Sequence, residues 1–438
     1  MRIAPENETF LDRPIDRRSL IRKGIAFVGA SALVPPAYLR AVFDEHSAST
    51  ADAATLPPAQ RKILVVLQLA GGNDGLNTVI PVGDRSYYDA RPTLAIKADT
   101  ALPLDRGLAL HPAMTGMKTL YNRGQLGVVL GVGYPDPNRS HFRSMDIWHS
   151  ASFEERSESG WLGRLLDVTR QEQQSLWRAV NIGEEQPASL DSKSSFVPSL
   201  GSVPAYVLQT DARFPAEGTR RTQNFVQLYA RQSEALARQA AYGGQLAFVS
   251  KTGLQAYRST VDLQKTVSEY KPRATYPNTP LGSALLTTAQ LVASTNLGTG
   301  VCYVTTGGFD THAGQWGAQN NLLGTVSNAL LAFYDDLNAQ GLGEAVTTVV
   351  WTEFGRRVKE NGSRGTDHGT AGPMFVVGGG VKPGLHGEQP AVGATDADGD
   401  LKYSTDFRSV YASVIAQRFG VDPKDVLGAS FPTLPLFA

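Results

Sequence analysis

Cysteine is nearly missing from the chain. Cys302 is the only one in 438 residues, so no internal disulfide can form. It lies in an apolar run and reads as a small core residue. An excess of charge of one sign is also missing. Forty-one acidic residues balance forty-one basic ones, which removes the electrostatic case for nucleic acid or an anionic membrane surface as partner. No internal repeat or heptad pattern appears, which sets aside solenoids and coiled coils. The apolar run near the N-terminus falls short of the roughly 20 residues that a stable membrane span needs. What is present is an ordinary globular mixture, 42% hydrophobic and 19% charged, long enough for one large domain or two ordinary ones.

The N-terminus carries an export pattern. Arg17-Arg18-Ser19-Leu20-Ile21-Arg22-Lys23 is a basic patch opening on a twin arginine. A weakly hydrophobic run, Gly24 to Leu33, follows, then Pro35-Pro36 and small residues between Ser47 and Ala54. Together these read as a twin-arginine signal with its linker over residues 1–55, which makes the export machinery a partner and the periplasm or the exterior the destination. An amphipathic first helix is the other reading of the same residues. That route carries folded proteins, which suits a chain that takes up a metal first.

From residue 56 onward strands alternate with helices. Continuous apolar runs at 62–70, 125–131, 177–182, 300–306 and 345–351, and a further one from Met374 to Val377, predict buried strands. Helices are expected over 112–122, from Ser140 to about Ser150, and over 161–170, 281–294, 320–338 and 406–419. Residues 76–110 read as a long irregular connection. The Ser- and Pro-rich stretch after 183 and the Gln- and Ala-rich helical stretch 223–269, divided at Gly243-Gly244, read as an insertion around 183–275 of a single domain, 56–438. The class is α/β with a mostly parallel central sheet.

Chemistry gathers where these strands end. The four runs ending at Leu69, Gly131, Thr306 and Trp351 each lead into a Gly- or Pro-bearing loop, and those loops hold Asp74, Ser140, Asp310 with His312, and Glu353 with Arg356. The carboxyl ends of strands form the ligand crevice of open α/β sheets. The glycine-rich stretch Gly365-Thr366-Asp367-His368-Gly369 adds an adjacent acid and imidazole, and His386 lies in a turn just beyond. Carboxylate and imidazole together suit a divalent metal. Asp310 and His312, two apart, face the same side of an extended segment and can share one ion; Asp367 and His368 reach one ion only if the loop bends. Ser140 stands where a helix N-terminus favours negative charge, and a nearby metal would activate its hydroxyl as a nucleophile. Arg139 is placed to hold an anionic substrate, and so is Arg356; Ser140 as a plain helix cap and Arg356 in a salt bridge with Glu353 are the plainer readings. His141 reads either as a ligand or as a residue behind one. No Gly-x-Ser-x-Gly elbow surrounds Ser140, which disfavours acyl chemistry.

One family shares these features in this order. The twin arginine, Gly71-Gly72-Asn73-Asp74-Gly75, Asn138-Arg139-Ser140-His141-Phe142, Gly308-Phe309-Asp310-Thr311-His312, Glu353-Phe354-Gly355-Arg356 and Gly365-Thr366-Asp367-His368-Gly369 resemble the domain-of-unknown-function family 1501, exported and sulfatase-like. That family looks like a distant branch of the alkaline phosphatase and sulfatase superfamily. The resemblance implies an alkaline-phosphatase-like three-layer sandwich and hydrolysis of a phosphate or sulfate ester, or of such a group on a glycan, through a Ser140 covalent intermediate. It implies divalent ions (zinc, calcium or manganese) in two sites: Asp310, His312 and His386 at one, Asp74, Asp367, His368 and the Ser140 oxygen at the other. Two ions about 4 Å apart would clamp the attacking and leaving oxygens. The chain departs from the superfamily pattern. The first His follows its Asp by two residues rather than four, the final His follows the Asp-His pair closely, and Ser140 lacks the sulfatase signature. A formylglycine sulfatase is therefore disfavoured, and a non-catalytic scaffold or glycan- and envelope-binding protein is the alternative.

Overall fold

The computed structural model describes residues 57–154, 157–169, 175–206, 218–236 and 243–437. The expected signal, residues 1–55, lies outside them. The central strand, β1 (Ile63–Leu69), is buried along its whole length. Successive strand residues face opposite sides, and here both sides are core. Ile63, Val65, Leu67 and Leu69 pack into one cluster, Leu64 and Val66 into another. A strand covered on both faces needs no polar alternation, which is why the run reads as unbroken apolar sequence.

Three short strands follow β1: β2 (Val79–Ile80), β3 (Leu102–Pro103) and β4 (Ala109–Leu110). They form a small antiparallel sheet of their own, so the 76–110 stretch holds more order than its sequence predicts. The main sheet also contains β5 (Leu126–Gly133), β6 (Ala179–Ile182), β7 (Val301–Thr306), β8 (Val346–Trp351), β9 (Gly372–Gly378), β10 (Gly384–His386) and β11 (Thr405–Asp406). Its order is β10-β5-β9-β8-β1-β7-β6, with β11 also paired to β5. All pairings are parallel except those of β9, which runs against both β5 and β8. Parallel neighbours need a crossover, commonly a helix. The chain between β8 and β9 contains no helix and turns straight back.

The helices are α1 (Arg85–Ala90), α2 (Thr115–Asn122), α3 (His141–Ser150), α4 (Trp161–Val168), α5 (Gly218–Leu236), α6 (Gly243–Glu269), α7 (Pro280–Ala293), α8 (Gln315–Ala339), α9 (Phe407–Ser413) and α10 (Pro423–Leu427). Side chains of α2, α7 and α8 pack into the first core. Those of α3, α4, α9 and α10 pack into the second. The result is helix, sheet, helix: a three-layer α/β sandwich with a mostly parallel sheet. The last expected helix, 406–419, is α-helical to Ser413 and then widens into a π-helical turn, Val414–Phe419. Residues 208–258 fall outside the larger compact unit, Arg40–Val207 with Ser259–Ala438. Among the described residues no helix is long and apolar enough to cross a membrane.

Candidate metal centre at the carboxyl edge of the sheet

β1, β7 and β8 run in parallel, and β5, on the far side of the antiparallel β9, points the same way. The loops after all four therefore leave from one edge of the sheet. The connection from β8 to β9 leaves and re-enters at this edge. It is closed by its own backbone ladder: Gly355 N–H donates to Thr370 O (2.7 Å), Gly369 N–H to Gly355 O (2.9 Å) and Arg357 N–H to Asp367 O (3.0 Å). The loops lie close enough to exclude side chains at two points. A Cβ on Gly71, whose φ is +121°, would stand 2.5 Å from the backbone nitrogen of Asp310. A Cβ on Gly365 would stand 2.2 Å from the carbonyl carbon of His312.

Asp310 is the hub of this edge. Its Oδ1 lies 2.9 Å from His312 Nε2 and 3.1 Å from His368 Nε2, and it accepts from Arg356 Nη2 at 2.6 Å. Its Oδ2 lies 3.5 Å from His141 Nε2. The two Nε2 atoms of His312 and His368 are 3.0 Å apart. His141, Asp310 and His368 each offer a ligand atom within 4.8 Å of the others. Burial pushes the Asp310 carboxyl up, but the hydrogen bond from Arg356, its positive charge and the imidazoles alongside outweigh it and hold it at about 2. The group is a carboxylate at any ordinary pH.

The far nitrogen of each ring decides what the near one can do. His368 Nδ1 donates to the carbonyl of Arg139 at 2.8 Å, an oxygen that can only accept. His141 Nδ1 faces Glu353 Oε1 at 2.9 Å, and His312 Nδ1 faces Asp367 Oδ1 at 3.0 Å. A neutral imidazole carries one proton. With that proton on Nδ1 in each ring, all three Nε2 atoms present bare lone pairs toward Asp310. Burial first, with the Arg356 guanidinium adding to it, keeps His368 below the usual imidazole range in spite of the Asp310 carboxylate beside it. Lone pairs from two rings and a carboxylate oxygen within about 3 Å of one another suit a proton or a cation shared among them. Imidazoles held through Nδ1 by carboxylates and carbonyls are the usual arrangement around a metal, so the donor set present fits a divalent ion.

The expected site residues divide. Asp310, His312 and His368 meet, although the resemblance assigns them to two different ions. Asp367 does not turn inward beside His368. It holds the back of His312 and accepts from Asn361 Nδ2 at 3.0 Å; hydrogen bonds from Asn361 and His312 keep its carboxyl below the usual range. Asp74 is buried beneath, where Arg91 Nη1 (2.6 Å) and Gln315 Nε2 (2.5 Å) take its Oδ2. No histidine pairs with it among the described residues. His386 is elsewhere. It sits on β10 opposite Val129 of β5, its ring against Gly127 at the strand's amino end and its Nε2 2.8 Å from Lys382 O. Three strand spacings, about 14 Å, separate β10 from β8, which corrects the expectation that His386 completes the site.

The two arginines expected to hold an anion are engaged within the protein. Arg356 is fully buried and gives its donors to the carbonyls of Gly72 (2.6 Å), Thr366 (2.8 Å), Phe309 (3.1 Å) and Gly71, and to Asp310. It clamps the loops together. Arg139 turns away to Asp400 (Nε, 2.7 Å) and Asp398 (3.0 Å). Ser140 is the residue before α3, exposed, and its side chain makes no capping bond. Its peptide neighbours are Arg139, whose carbonyl holds His368, and His141. Two residues the sequence left open or unranked prove central. His141 joins the hub, and buried Glu353 holds His141 while accepting from the Gly71 amide at 2.8 Å. The signal for both was their place in the loops after β5 and β8, the same signal that marked Ser140 and Arg356.

A family model described as a protein of unknown function (DUF1501) matches residues 61–429. No curated protein matches the chain in sequence. Among solved structures, a protein in the alkaline phosphatase superfamily from Vibrio parahaemolyticus covers 92% of this chain and 77% of its own, at 10% identity and a TM-score of 0.34. Ps i-CgsB, in complex with k-i-k-neocarrahexaose, covers 85% and 75% at 8% identity and a TM-score of 0.35. BT1596, a 2-O GAG sulfatase, covers 74% and 65% at 12% identity and a TM-score of 0.29.

Proposed function

The chain belongs to the DUF1501 family, and from the side chains at its sheet edge we propose that it is a divalent-metal-dependent hydrolase of phosphate or sulfate esters, exported by the twin-arginine route. The observation that carries this reading is the convergence of three Nδ1-anchored imidazoles on the Asp310 carboxylate. His141, Asp310, His312 and His368 would hold the ion. When bound, such an ion supplies Lewis-acid stabilisation of charge on the ester oxygens. Glu353 and Asp367 keep His141 and His312 in the tautomer that leaves Nε2 free, and Arg356 keeps Asp310 ionised. Ser140 offers an exposed hydroxyl at the amino end of α3, where the helix dipole favours an anion. Its oxygen would form the new bond to phosphorus or sulfur as the bond to the ester oxygen breaks. The alcohol leaves with the proton of the hydroxyl, and water then hydrolyses the Ser140 ester, restoring the hydroxyl.

The test is metal content by elemental analysis together with aryl phosphate and aryl sulfate turnover. Ser140→Ala is expected to keep its metal and lose turnover by at least about 100-fold. His368→Ala is expected to lose both. A Ser140→Ala protein with full turnover removes the nucleophile, and unchanged metal in His368→Ala removes the centre. A second reading, a metal-holding module that binds a glycan or envelope component without turnover, draws support from one observation. Arg139 and Arg356, the cations expected at the substrate, are both engaged internally. Metal-loaded protein inactive on both ester classes is the outcome that favours it.

A further inference from the structure

Beneath the centre lies Gln315, the first residue of α8, fully buried. Its amide has two acceptor positions and two donors, and all four are used. Oε1 accepts from Thr311 Oγ1 at 3.0 Å and Thr366 Oγ1 at 2.6 Å. Nε2 donates to Asp74 Oδ2 at 2.5 Å and Gln319 Oε1 at 3.1 Å. The carboxylate of Asp74 can only accept, so the orientation of the amide is settled: nitrogen toward Asp74, oxygen toward the threonines. Thr311 stands between Asp310 and His312, and Thr366 stands just before Asp367 and His368. One oxygen thus ties the two ligand-bearing loops to each other. Behind it, Asp74 is held by Arg91, whose remaining donors go to Asn77 Oδ1 (2.9 Å) and the carbonyls of Val358 (2.9 Å) and Arg357 (2.8 Å).

We propose that Gln315 is a positioning residue that fixes the separation of the 310–312 loop from the 366–368 loop, and that the buried Asp74–Arg91 pair fixes Gln315. Asp74 then serves the centre through Gln315 and not as a ligand. This rests on the reading that the centre binds a divalent ion. The hydrogen bonds are not interchangeable with packing, because an apolar side chain of the same size leaves two hydroxyls and a carboxylate oxygen short of a partner in a buried place.

The test compares the full chain with Thr366→Val, Gln315→Met and the double variant. Zinc affinity is measured by competition with a chromophoric chelator, amide hydrogen exchange over residues 308–314 and 363–370, and the thermal midpoint alongside. Each single variant is expected to weaken zinc by 10- to 100-fold, the usual cost of losing a partner behind a ligand. The double variant is expected to be no worse than Gln315→Met, since both changes cut one linkage. Exchange should quicken in both loops and stay unchanged in β1 and β8. Thr366→Val removes only a hydroxyl and serves if Gln315→Met does not fold. Additive losses in the double variant, or zinc affinity unchanged in Thr366→Val, overturn the proposal. If the unaltered chain binds no zinc or other divalent ion, the metal reading falls by itself. Exchange then still decides whether Gln315 couples the loops: unchanged rates in both loops overturn the coupling too.

Discussion

A single side chain on the buried face of α3 carries a pH dependence of its own. His149 is enclosed, its Nε2 3.2 Å from the Tyr303 hydroxyl and 3.4 Å from Gln68 Oε1. Burial lowers it to about 4, against 6.5 for the exposed ring. A folded value below the unfolded one means that the neutral ring belongs to the folded state. Its contribution is therefore complete above about pH 6.5 and is lost as pH falls toward 4, on the order of 3 kcal/mol in all. His111, also lowered to about 4 chiefly by burial, acts in the same direction. Urea unfolding of the chain and of His149→Gln between pH 7 and 4.5 checks this, with the variant expected to show the flatter curve; equal slopes would exclude it. At this scale the sequence told which residue types matter and less about how they meet. Asp310, His312 and His368 were legible as candidate ligands because acid and imidazole lie two apart or adjacent in glycine-bearing loops. The direction of each ring was not, since it is set by Glu353, Asp367 and the Arg139 carbonyl, and each of the three comes from a different segment of the chain from the ring it holds.

Among elements, the loops after β1, β7 and β8 depend on one another through Arg356. Its guanidinium spends its donors on four backbone carbonyls from three segments, besides Asp310. Arg356→Met would take one donor from each of those carbonyls and the guanidinium from beside the Asp310 carboxylate. A loss of about 3–5 kcal/mol is expected from leaving several buried carbonyls a donor short, read as a lower urea midpoint; a change below about 1 kcal/mol would show that the clamp is dispensable. The sequence placed Arg356 correctly, at the end of a strand among chemical residues. A lone arginine there reads equally well as an anion holder, and only the surrounding carbonyls distinguish the two. The antiparallel direction of β9 was hidden for a similar reason. An apolar run tells that a strand is buried but not which way it points. The absent helix between β8 and β9 was the available clue.

For the whole molecule, the two-sided core was the most legible feature. Each of the apolar runs predicted as strands appears in the main sheet, shifted at its ends by a residue or two. Residues 208–258 stand outside the larger compact unit, while Tyr206 and Gln264, on either side of them, are in contact: Gln264 Nε2 donates to Val203 O at 2.6 Å and to Tyr206 O at 3.3 Å. Chain ends that close can be joined by a short link. Replacing 208–258 with a Gly-Ser linker is expected to leave cooperative unfolding and the metal content of the remaining chain intact. Loss of cooperative unfolding in circular dichroism would show that the larger unit does not fold alone.

The closed ladder between β8 and β9 has a bearing on traffic into the site. A lid needs a hinge, a few residues free to change their backbone angles. The segment carrying His368 begins in one central strand, ends in its neighbour, and is bonded across its width from Gly355 to Thr370, with Arg356 paired to His368 in a backbone bridge. To swing, it would have to unzip. The rim beside Asp310 on this side is a standing one, and the rings arrive at their places with the fold.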